Sequence, residues 1–468
     1  MNKLKYEIKS YLINNSNKIK INSGTIKEGD VFFALKGSNT HGNNYIEHAL
    51  SKGAKYVVTG IKFGENFSKK ILKVSDSLNF LDKIARKKRN QFKGIVIAVT
   101  GRVGKTSIKE FLIFFLSSQG DVSASIKSYN NYLGVLISLI NMDRNSIFSI
   151  FEVGTNNSNE IKKLASLILP HQVIISNIYP THLQNFGSTR KIAIEKSDLF
   201  NPKYNPNINL AILPNLNQDE IFLQKLAKKY SIRSIINFSS YNKSEYFIKT
   251  IKKFNNFSSK ITFKIPSGKI TFKSSTSFKH QILNMLIVFI VFDFNNLSIK
   301  KFLKKAKSIP LIKGRGLFNN IIINKKKVVL IDESYNASPA SMNVCIDYFE
   351  NLITKQDQRK FIIIGEMLEL GRSSQNYHRK IFSRVVKSSI DKIIFCGNIY
   401  KKILNKRNVK SKKIFYFDEE SKIIDFLSNS ILKNDIILAK GSNSSKVNKL
   451  VNLLLKIKRK NLKRKEIC

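Results

Sequence analysis

The run Thr100-Gly101-Arg102-Val103-Gly104-Lys105-Thr106-Ser107 has the residue types and spacing of a phosphate cradle. Glycines let backbone N–H groups approach phosphate oxygens, and a helix opening at Lys105 turns its positive end on the same anion. The Lys105 ammonium can reach the β- and γ-phosphates, and the Thr106 hydroxyl is a hard oxygen ligand suited to Mg²⁺. The chemistry implied is nucleoside triphosphate binding. Val99 stands where the standard Walker pattern has glycine. A Gly-Lys-Thr triplet in an ordinary turn means nothing; here a β-branched run precedes it and a helical stretch follows.

Three further side chains could complete a phosphoryl-transfer site. Glu152 ends the apolar run Ser149-Ile150-Phe151, and a carboxylate at the carboxyl end of a parallel strand faces the ligand crevice, where it can hold Mg²⁺. His182 follows a second such run ending at Asn177-Ile178, so its imidazole could reach the same metal edge. Each alone reads equally as a solvated loop residue; their convergence with the glycine loop on one crevice favours a site. Lys196, within Ile194-Glu195-Lys196-Ser197-Asp198, reads by itself as an ordinary helix lysine. His41, His48, His171 and His378 show no metal-ligand spacing and read as structural. No nucleophilic triad or paired-carboxylate arrangement is present.

These residues need a strand, a glycine loop and a helix in succession, and the sequence supplies them. Gly94 to Val99 is a buried-strand candidate, and Lys105 to Leu116 is helical in pattern. Ile147 to Val153 and Gln172 to Ile178 are further strands, each leading into a polar loop, and the alternation predicts a mainly parallel sheet. Before this core, Gly29-Asp30 precedes the apolar Val31 to Leu35, followed by a Gly/Asn-rich loop, which reads as a small α/β unit. After it, alternation from Lys260 to Phe272 around Pro266-Ser267-Gly268 predicts an antiparallel hairpin at a sheet edge. A boundary is expected near Lys313-Gly314-Arg315-Gly316, because new strand-like runs appear at 328–332, 361–364, 393–396 and 436–439. The reading is an α/β chain of three domains: 1–92, a small α/β domain; 93–313, a central P-loop domain on a parallel sheet; and 314–468, a Rossmann-like domain.

Composition narrows the function classes. At 468 residues and 42% hydrophobic side chains the chain can bury several cores. Its best apolar run, Met285 to Phe292, is far short of the roughly 18 residues a membrane span requires, and Met1 to Ser10 has no apolar segment behind it to make a signal peptide. Three widely spaced cysteines, Cys345, Cys396 and Cys468, fit neither a disulfide framework nor a zinc site, so the cytoplasm is the expected compartment. The formal charge of +49 raises nucleic acid as a partner. Lysine is nevertheless spread over the whole chain with abundant Asn and Ile, as AT-rich codons produce, and it lacks the localised face with interleaved aromatics that such binding needs. The basic tail Lys456 to Lys465 is assigned no function.

In order and over nearly the whole chain, these segments resemble the Mur ligase family. The loop is similar to that family's Thr-Gly-x-x-Gly-Lys-Thr, which also lacks the first Walker glycine. Asn130-Asn131-Tyr132-Leu133-Gly134-Val135, Asp332-Glu333-Ser334-Tyr335-Asn336-Ala337-Ser338-Pro339 and Gly365-Glu366-Met367-Leu368-Glu369-Leu370-Gly371 with His378 resemble strings of the branch that adds D-alanyl-D-alanine to UDP-N-acetylmuramoyl-tripeptide. Lys440-Gly441-Ser442 is similar to a late turn of the family. The resemblance implies that Glu152, His182 and Thr106 hold Mg²⁺ with Lys196, carbamylated by bicarbonate, as a further ligand. It also implies that His280, Asn284, Arg315, Asp332, Tyr335 and Asn336 join residues 101–107 in binding ATP, and that Ser23, Lys36, Gly37, Asn130 and Asn131 meet the UDP-substrate. Catalytic roles fall to Lys105, Lys196, Glu152 and His182.

The implied reaction runs through an acyl phosphate and yields UDP-MurNAc-pentapeptide, ADP and phosphate, a step of peptidoglycan precursor synthesis performed by a monomer on small-molecule substrates. The chain departs from the pattern at Asn22-Ser23-Gly24, which lacks the usual arginine, and at His41-Gly42-Asn43-Asn44-Tyr45, both toward the UDP end. Ser338 replaces an asparagine, and Arg102-Val103 occupies small or polar loop positions. The alternatives are a related ligase adding a single amino acid such as meso-diaminopimelate, a folylpolyglutamate synthetase, and a basic P-loop ATPase acting on nucleic acid. The Tyr335-Asn336 and Met367 to Gly371 strings weigh against the first two, and the diffuse charge against the third.

Overall fold

The computed structural model describes residues 2–463 apart from 38–39, 61–68, 127–128, 180–182, 311, 313, 355–356, 369, 408–410 and 412; side chains are also not described at 2, 183–184, 372, 406–407 and beyond 456. It contains three sheets, of four, nine and six strands.

The first is wholly parallel. Helix α1 (Asn2–Asn14) leads into β1 (Ile19–Lys20) and β2 (Val31–Ala34); α2 (Ile46–Ser51), β3 (Tyr56–Thr59), β4 (Ile71–Lys73) and α3 (Ser77–Gln91) follow, with strand order β1-β2-β3-β4. Helix α3 starts where the Asp76 carboxylate accepts the N–H groups of Leu78 and Asn79. Its apolar face joins α1 to the core of the next unit, so these two units share one continuous hydrophobic cluster.

The central unit runs β5 (Ile95–Thr100), α4 (Lys105–Leu116), β6 (Val122–Ala124), α5 (Tyr132–Asn141), β7 (Phe148–Glu152), α6 (Glu160–Ile168), β8 (Gln172–Ile175), α7 (Leu183–Phe186), α8 (Thr189–Ser197), β9 (Leu210–Pro214), α9 (Gln218–Lys229), β10 (Ser234–Ser239), β11 (Tyr246–Asn255), β12 (Ser258–Ile265), β13 (Gly268–Ser274), α10 (Lys279–Phe294) and α11 (Ile299–Ala306). The order is β13-β12-β11-β10-β9-β8-β5-β7-β6. Pairing is parallel from β6 through β11, and β12 and β13 add the expected antiparallel hairpin at one edge. Strand β5 sits between β7 and β8 and is buried along both faces, which is why its residues read as a continuous apolar run. Helices α4, α10 and α11 cover one face, whereas α5, α6 and α9, with α1 and α3, cover the other. The apolar run Met285 to Phe292 lies in α10, buried on all sides, and no helix of the described residues is long and apolar enough to cross a membrane.

The last unit runs β14 (Leu317–Ile323), β15 (Lys326–Glu333), α12 (Pro339–Glu350), β16 (Lys360–Ile364), α13 (Ser374–Val386), β17 (Lys392–Phe395), α14 (Asn398–Arg407), β18 (Ile414–Tyr416), α15 (Glu420–Ser430), β19 (Ile436–Lys440) and α16 (Lys446–Lys463). Its order is β14-β15-β19-β16-β17-β18, parallel except for β14. Helices α12 to α14 pack on one face and α15 and α16 on the other, the doubly covered arrangement expected of the Rossmann-like reading. Strands β6, β9, β10, β11 and β14 are not singled out in the sequence; β9 is a short buried apolar run, whereas β11 is mostly exposed beyond Ile248, so its lysines mask it.

Candidate active site

The phosphate loop leaves β5 at Thr100 and enters α4 at Lys105. Gly101 and Gly104 have φ of +138° and +92°, conformations that side chains disfavour. A Cβ on Gly101 would lie 2.0 Å from the Ser176 hydroxyl oxygen, so the end of β8 passes directly against the loop. Two residues there shape it. The Asn177 side-chain oxygen accepts the N–H groups of Arg102 and Val103, each at 3.0 Å, while the Asn177 amide and the Ser176 hydroxyl donate to the Val103 carbonyl at 2.8 and 2.6 Å. Sequence reading singled out neither; the available signal was a Ser-Asn pair closing a buried strand. The Lys105 ammonium donates to the Gly101 carbonyl at 3.0 Å, folded back over its own loop.

Beside the loop, β7 delivers Glu152, 2% exposed. Its carboxylate accepts the Thr106 hydroxyl at 2.9 Å and the Asn130 amide at 3.0 Å, and its backbone N–H is held by Ser125 at 3.1 Å. Gly154 makes room for Asn130, since a Cβ there would meet the carboxamide at 2.8 Å. A carboxylate and a hydroxyl side by side next to a phosphate cradle are hard oxygen donors of the kind Mg²⁺ takes, with substrate phosphates completing its shell. Among the described residues no group of three His, Cys, Asp or Glu side chains forms a metal cluster. His182 lies outside the described residues.

Lys196 is buried in α8, and its ammonium donates to the Thr100 hydroxyl at 3.3 Å, beneath the phosphate loop. Burial, with the charges of Lys105 and Arg102 and against that of Glu195, pushes its pKa down to about 7. Glu195 is occupied in accepting the N–H groups of Asn159 and Ile161 at the start of α6.

The third unit closes the cavity from the opposite side. Gly314, with φ of +74°, begins the turn that presents Arg315, and the guanidinium lies 4.5 Å from the Tyr335 ring centroid. Its buried Nε has no hydrogen-bond partner among the described residues. Asp332 anchors this turn. One of its oxygens accepts the Gly314 N–H at 3.0 Å, and the other accepts the N–H and hydroxyl of Ser334 at 3.1 and 2.7 Å. With both oxygens so used, Asp332 supports the turn that presents Arg315, and it is not among the residues that line the cavity. Glu333 is the residue that faces the cavity, paired with Lys440 at 3.2 Å; Lys440 also donates to the Asn336 carbonyl at 3.1 Å. His280 and Asn284, one turn apart on α10, line it too. Burial lowers the His280 pKa, Lys440 and Arg315 adding to this against Glu333, so the ring is neutral near pH 7.

The resulting cavity has a volume of about 420 Å³. Lys105, Thr106, Glu152 and Arg315 are among its polar lining, and Phe278, Leu283, Ile287, Val344 and Tyr348 among its apolar lining. Arg102, Val103, Gly104, Ser107, Asn130, Tyr335 and Asn336 also line it. Gly101 and Lys196 shape it from beneath. Asn131 does not line it: its side chain caps α5 by accepting the Gly134 N–H at 2.9 Å. Ser23, Lys36 and Gly37 belong to turns of the first unit and are not among the residues that line this cavity. Ser23 bonds the His48 ring at 3.1 Å, and Gly37 donates to the Thr40 carbonyl at 2.9 Å beside the Lys36–His41 bridge. His378 is structural: its Nε2 accepts the Met367 N–H at 2.9 Å and its Nδ1 meets the Ser374 carbonyl at 2.7 Å, which pins the Gly365 to Leu368 loop.

Comparison with known proteins places this geometry. Residues 16–89, 99–292 and 320–443 match the family models described as Mur ligase family catalytic domain, Mur ligase middle domain, and Mur ligase glutamate ligase domain. The chain is 33% identical to the UDP-N-acetylmuramoyl-tripeptide--D-alanyl-D-alanine ligase of Rickettsia prowazekii, over 94% of this chain and 95% of that one. It is 30% identical to the ligase of the same name from Buchnera aphidicola of Baizongia pistaciae, over 91% and 89%. Among solved structures it superposes on the MurF ligase of Thermotoga maritima in complex with ADP with a TM-score of 0.79 at 25% identity, covering 96% of this chain and 99% of that one. The chain belongs to the Mur ligase family.

Proposed function

We propose that this protein joins D-alanyl-D-alanine to UDP-N-acetylmuramoyl-tripeptide at the expense of ATP. The observation that carries the reading is one cavity bounded jointly by the phosphate loop, the Thr106–Glu152 pair and Arg315 from the third unit. The names of the relatives, matched over nine-tenths of their length or close to it, supply the substrates. The three matched segments support a division into domains near 1–92, 93–313 and 314–468.

The tripeptide's terminal carboxylate attacks the γ-phosphorus of ATP, the bond to the β-phosphate oxygen breaks and ADP leaves. The dipeptide amine then adds to the acyl phosphate carbonyl and loses a proton, and phosphate departs as the amide forms. Two anions must approach in the first step, so the barrier is chiefly electrostatic. Lys105 swings from the Gly101 carbonyl to the phosphates, and Arg315, held by the Asp332 turn, neutralises charge from the other side. Thr106 and Glu152 would hold Mg²⁺, which when bound polarises the phosphate oxygens. His182 is proposed to join them. Lys196, its pKa lowered by burial to about 7, is proposed as a nucleophile for CO₂, and its carbamate would add an anionic oxygen ligand under the loop. Water is kept from the acyl phosphate by the closed third unit.

His280, Asn284 and Glu333, with Tyr335 and Asn336, are proposed to meet the base and ribose of the nucleotide, which their place in the cavity lining supports. Ser23, Lys36, Gly37, Asn130 and Asn131 remain the proposed UDP-substrate side, now with Asn130 bonded to Glu152. We take the protein to work as a monomer in the cytoplasm, where its nucleotide substrates are made. The test is phosphate release with ATP, UDP-MurNAc-tripeptide and D-Ala-D-Ala, each omitted in turn. Dependence on all three is expected; release indifferent to the dipeptide would overturn the assignment.

A further inference from the structure

The central and third units touch at a second place, on the rim of the nucleotide cavity. The β11–β12 hairpin turns on two residues, Asn256 and Phe257, between the paired Asn255 and Ser258. Beyond Ile248 the outer part of β11 is mostly exposed, and two register shifts, at Ile248/Thr250 and Lys253/Asn255, bend it. This hairpin tip reaches the carboxyl end of α12. The Asn256 amide donates to the Ile353 carbonyl, and the Ile353 N–H donates to the Asn256 side-chain oxygen at 2.9 Å. One side chain thereby imitates a rung of sheet pairing between two units. The Asn256 carbonyl in turn accepts the Ser277 hydroxyl at 2.7 Å from its own unit and the Tyr348 hydroxyl at 3.4 Å from the other.

An aromatic cluster continues the contact inward. Phe257 meets Phe318 edge-on with centroids 4.5 Å apart, and Phe278 stacks on Tyr348 at 3.9 Å with 21° between planes. Phe278 and Tyr348 are also cavity wall, and α12 contributes Ser341, Val344 and Cys345 to the same wall. The clasp at the far end of α12 therefore sets how closely that helix lies against Phe278 and α10. Both helices contribute apolar lining to the cavity, Val344 from α12 and Leu283 and Ile287 from α10.

We propose that Asn256 is a positioning residue that latches α12 over the bound nucleotide and controls its escape. This rests on the cavity being the nucleotide site. The latch consists of two exposed-side hydrogen bonds and a ring contact, strong enough to bias the closed arrangement and weak enough to break at each turnover.

The experiment follows release of a fluorescent ADP analogue from the full-length chain by stopped flow, with a urea melt of each variant. Asn256→Ala removes both bonds to Ile353, and release should speed up about tenfold with the urea midpoint unchanged. Asn256→Asp keeps the acceptor and loses the donor, so its release rate should fall between the two. In a doubly substituted chain, Asn256→Cys with Ile353→Cys, oxidation should slow release about tenfold and dithiothreitol should restore it. Unchanged release in the alanine variant, or rates equal in oxidised and reduced forms, overturns the latch while leaving the ligase reading intact. Failure of the unsubstituted chain to bind the analogue at all overturns the nucleotide reading and the latch with it.

Discussion

At the scale of single residues the site depends on groups whose surroundings change their chemistry. Lys196 would be an unremarked helix lysine on the surface; under the phosphate loop it is buried against Thr100 with two cations nearby, so its charged form is disfavoured. Lys196→Ala should cut ligation by about a thousandfold, the scale of losing one electrostatic partner of the transition state. Incubation with ¹³C-bicarbonate should give a carbamate resonance in the parent chain that the variant lacks; a parent without that resonance, fully active, would remove the carbamate from the mechanism. Asp332 is the opposite case. It resembles a ligand-binding acid in sequence, yet both of its oxygens are committed to the turn that presents Arg315.

At the scale of elements, the phosphate loop is a product of three strand ends. Strand β5 ends at Thr100 and leads to Gly101, β8 leads to Ser176 and Asn177, and β7 ends at Glu152. The loop cannot take its shape unless β8 runs beside β5, because the loop's own N–H groups at Arg102 and Val103 are held by Asn177. Gly101→Ala should raise the KM for ATP at least about tenfold, since it combines a clash with Ser176 and a backbone conformation costing about 1 to 3 kcal/mol. A second change, Ser176→Gly, should recover only part of the loss, because it clears the clash but leaves the φ of +138° and removes the hydrogen bond from the Ser176 hydroxyl to the Val103 carbonyl. Full recovery would mean that neither the strain nor the lost hydrogen bond matters to ATP binding.

At the scale of the whole molecule, the first and central units are welded and the third is docked. Lys88 of α3 is fully buried and donates to the carbonyls of Leu12, Asn15 and Ile140, while Arg89 bonds those of Ile168 and Leu169 at the end of α6. Lys88→Met should leave three carbonyls short of a partner and cost about 3 kcal/mol of stability in urea denaturation. A cost below about 1 kcal/mol would show that water replaces the ammonium. The third unit, by contrast, has its own core on both faces of its sheet and meets the central unit through Arg315, the aromatic cluster and the Asn256 clasp. That difference suits a machine whose cavity must open for exchange while its substrate platform stays rigid.

The sequence by itself determined what is local. The glycine loop, the helix from Lys105 to Leu116 and the apolar strands before Glu152 and through Val173 to Ile175 were legible because strand burial and helix periodicity leave repeating marks in neighbouring residues. The hairpin at 258–274 was legible through alternation and its Pro-Ser-Gly turn, whereas β11 was hidden by lysines on its exposed half. What only the tertiary structure decided is which distant residues share a wall. Nothing in the spacing of Asn177, Glu333, Lys440, Asn256 and Ile353 announces their partners, because those contacts are set by strand order and by the docking of one unit on another. Docking likewise gave Asp332 and Glu333 different roles: successive residues of a strand point to opposite faces, and the packing of the third unit on the central one decides that Glu333 lines the cavity while Asp332 anchors the turn.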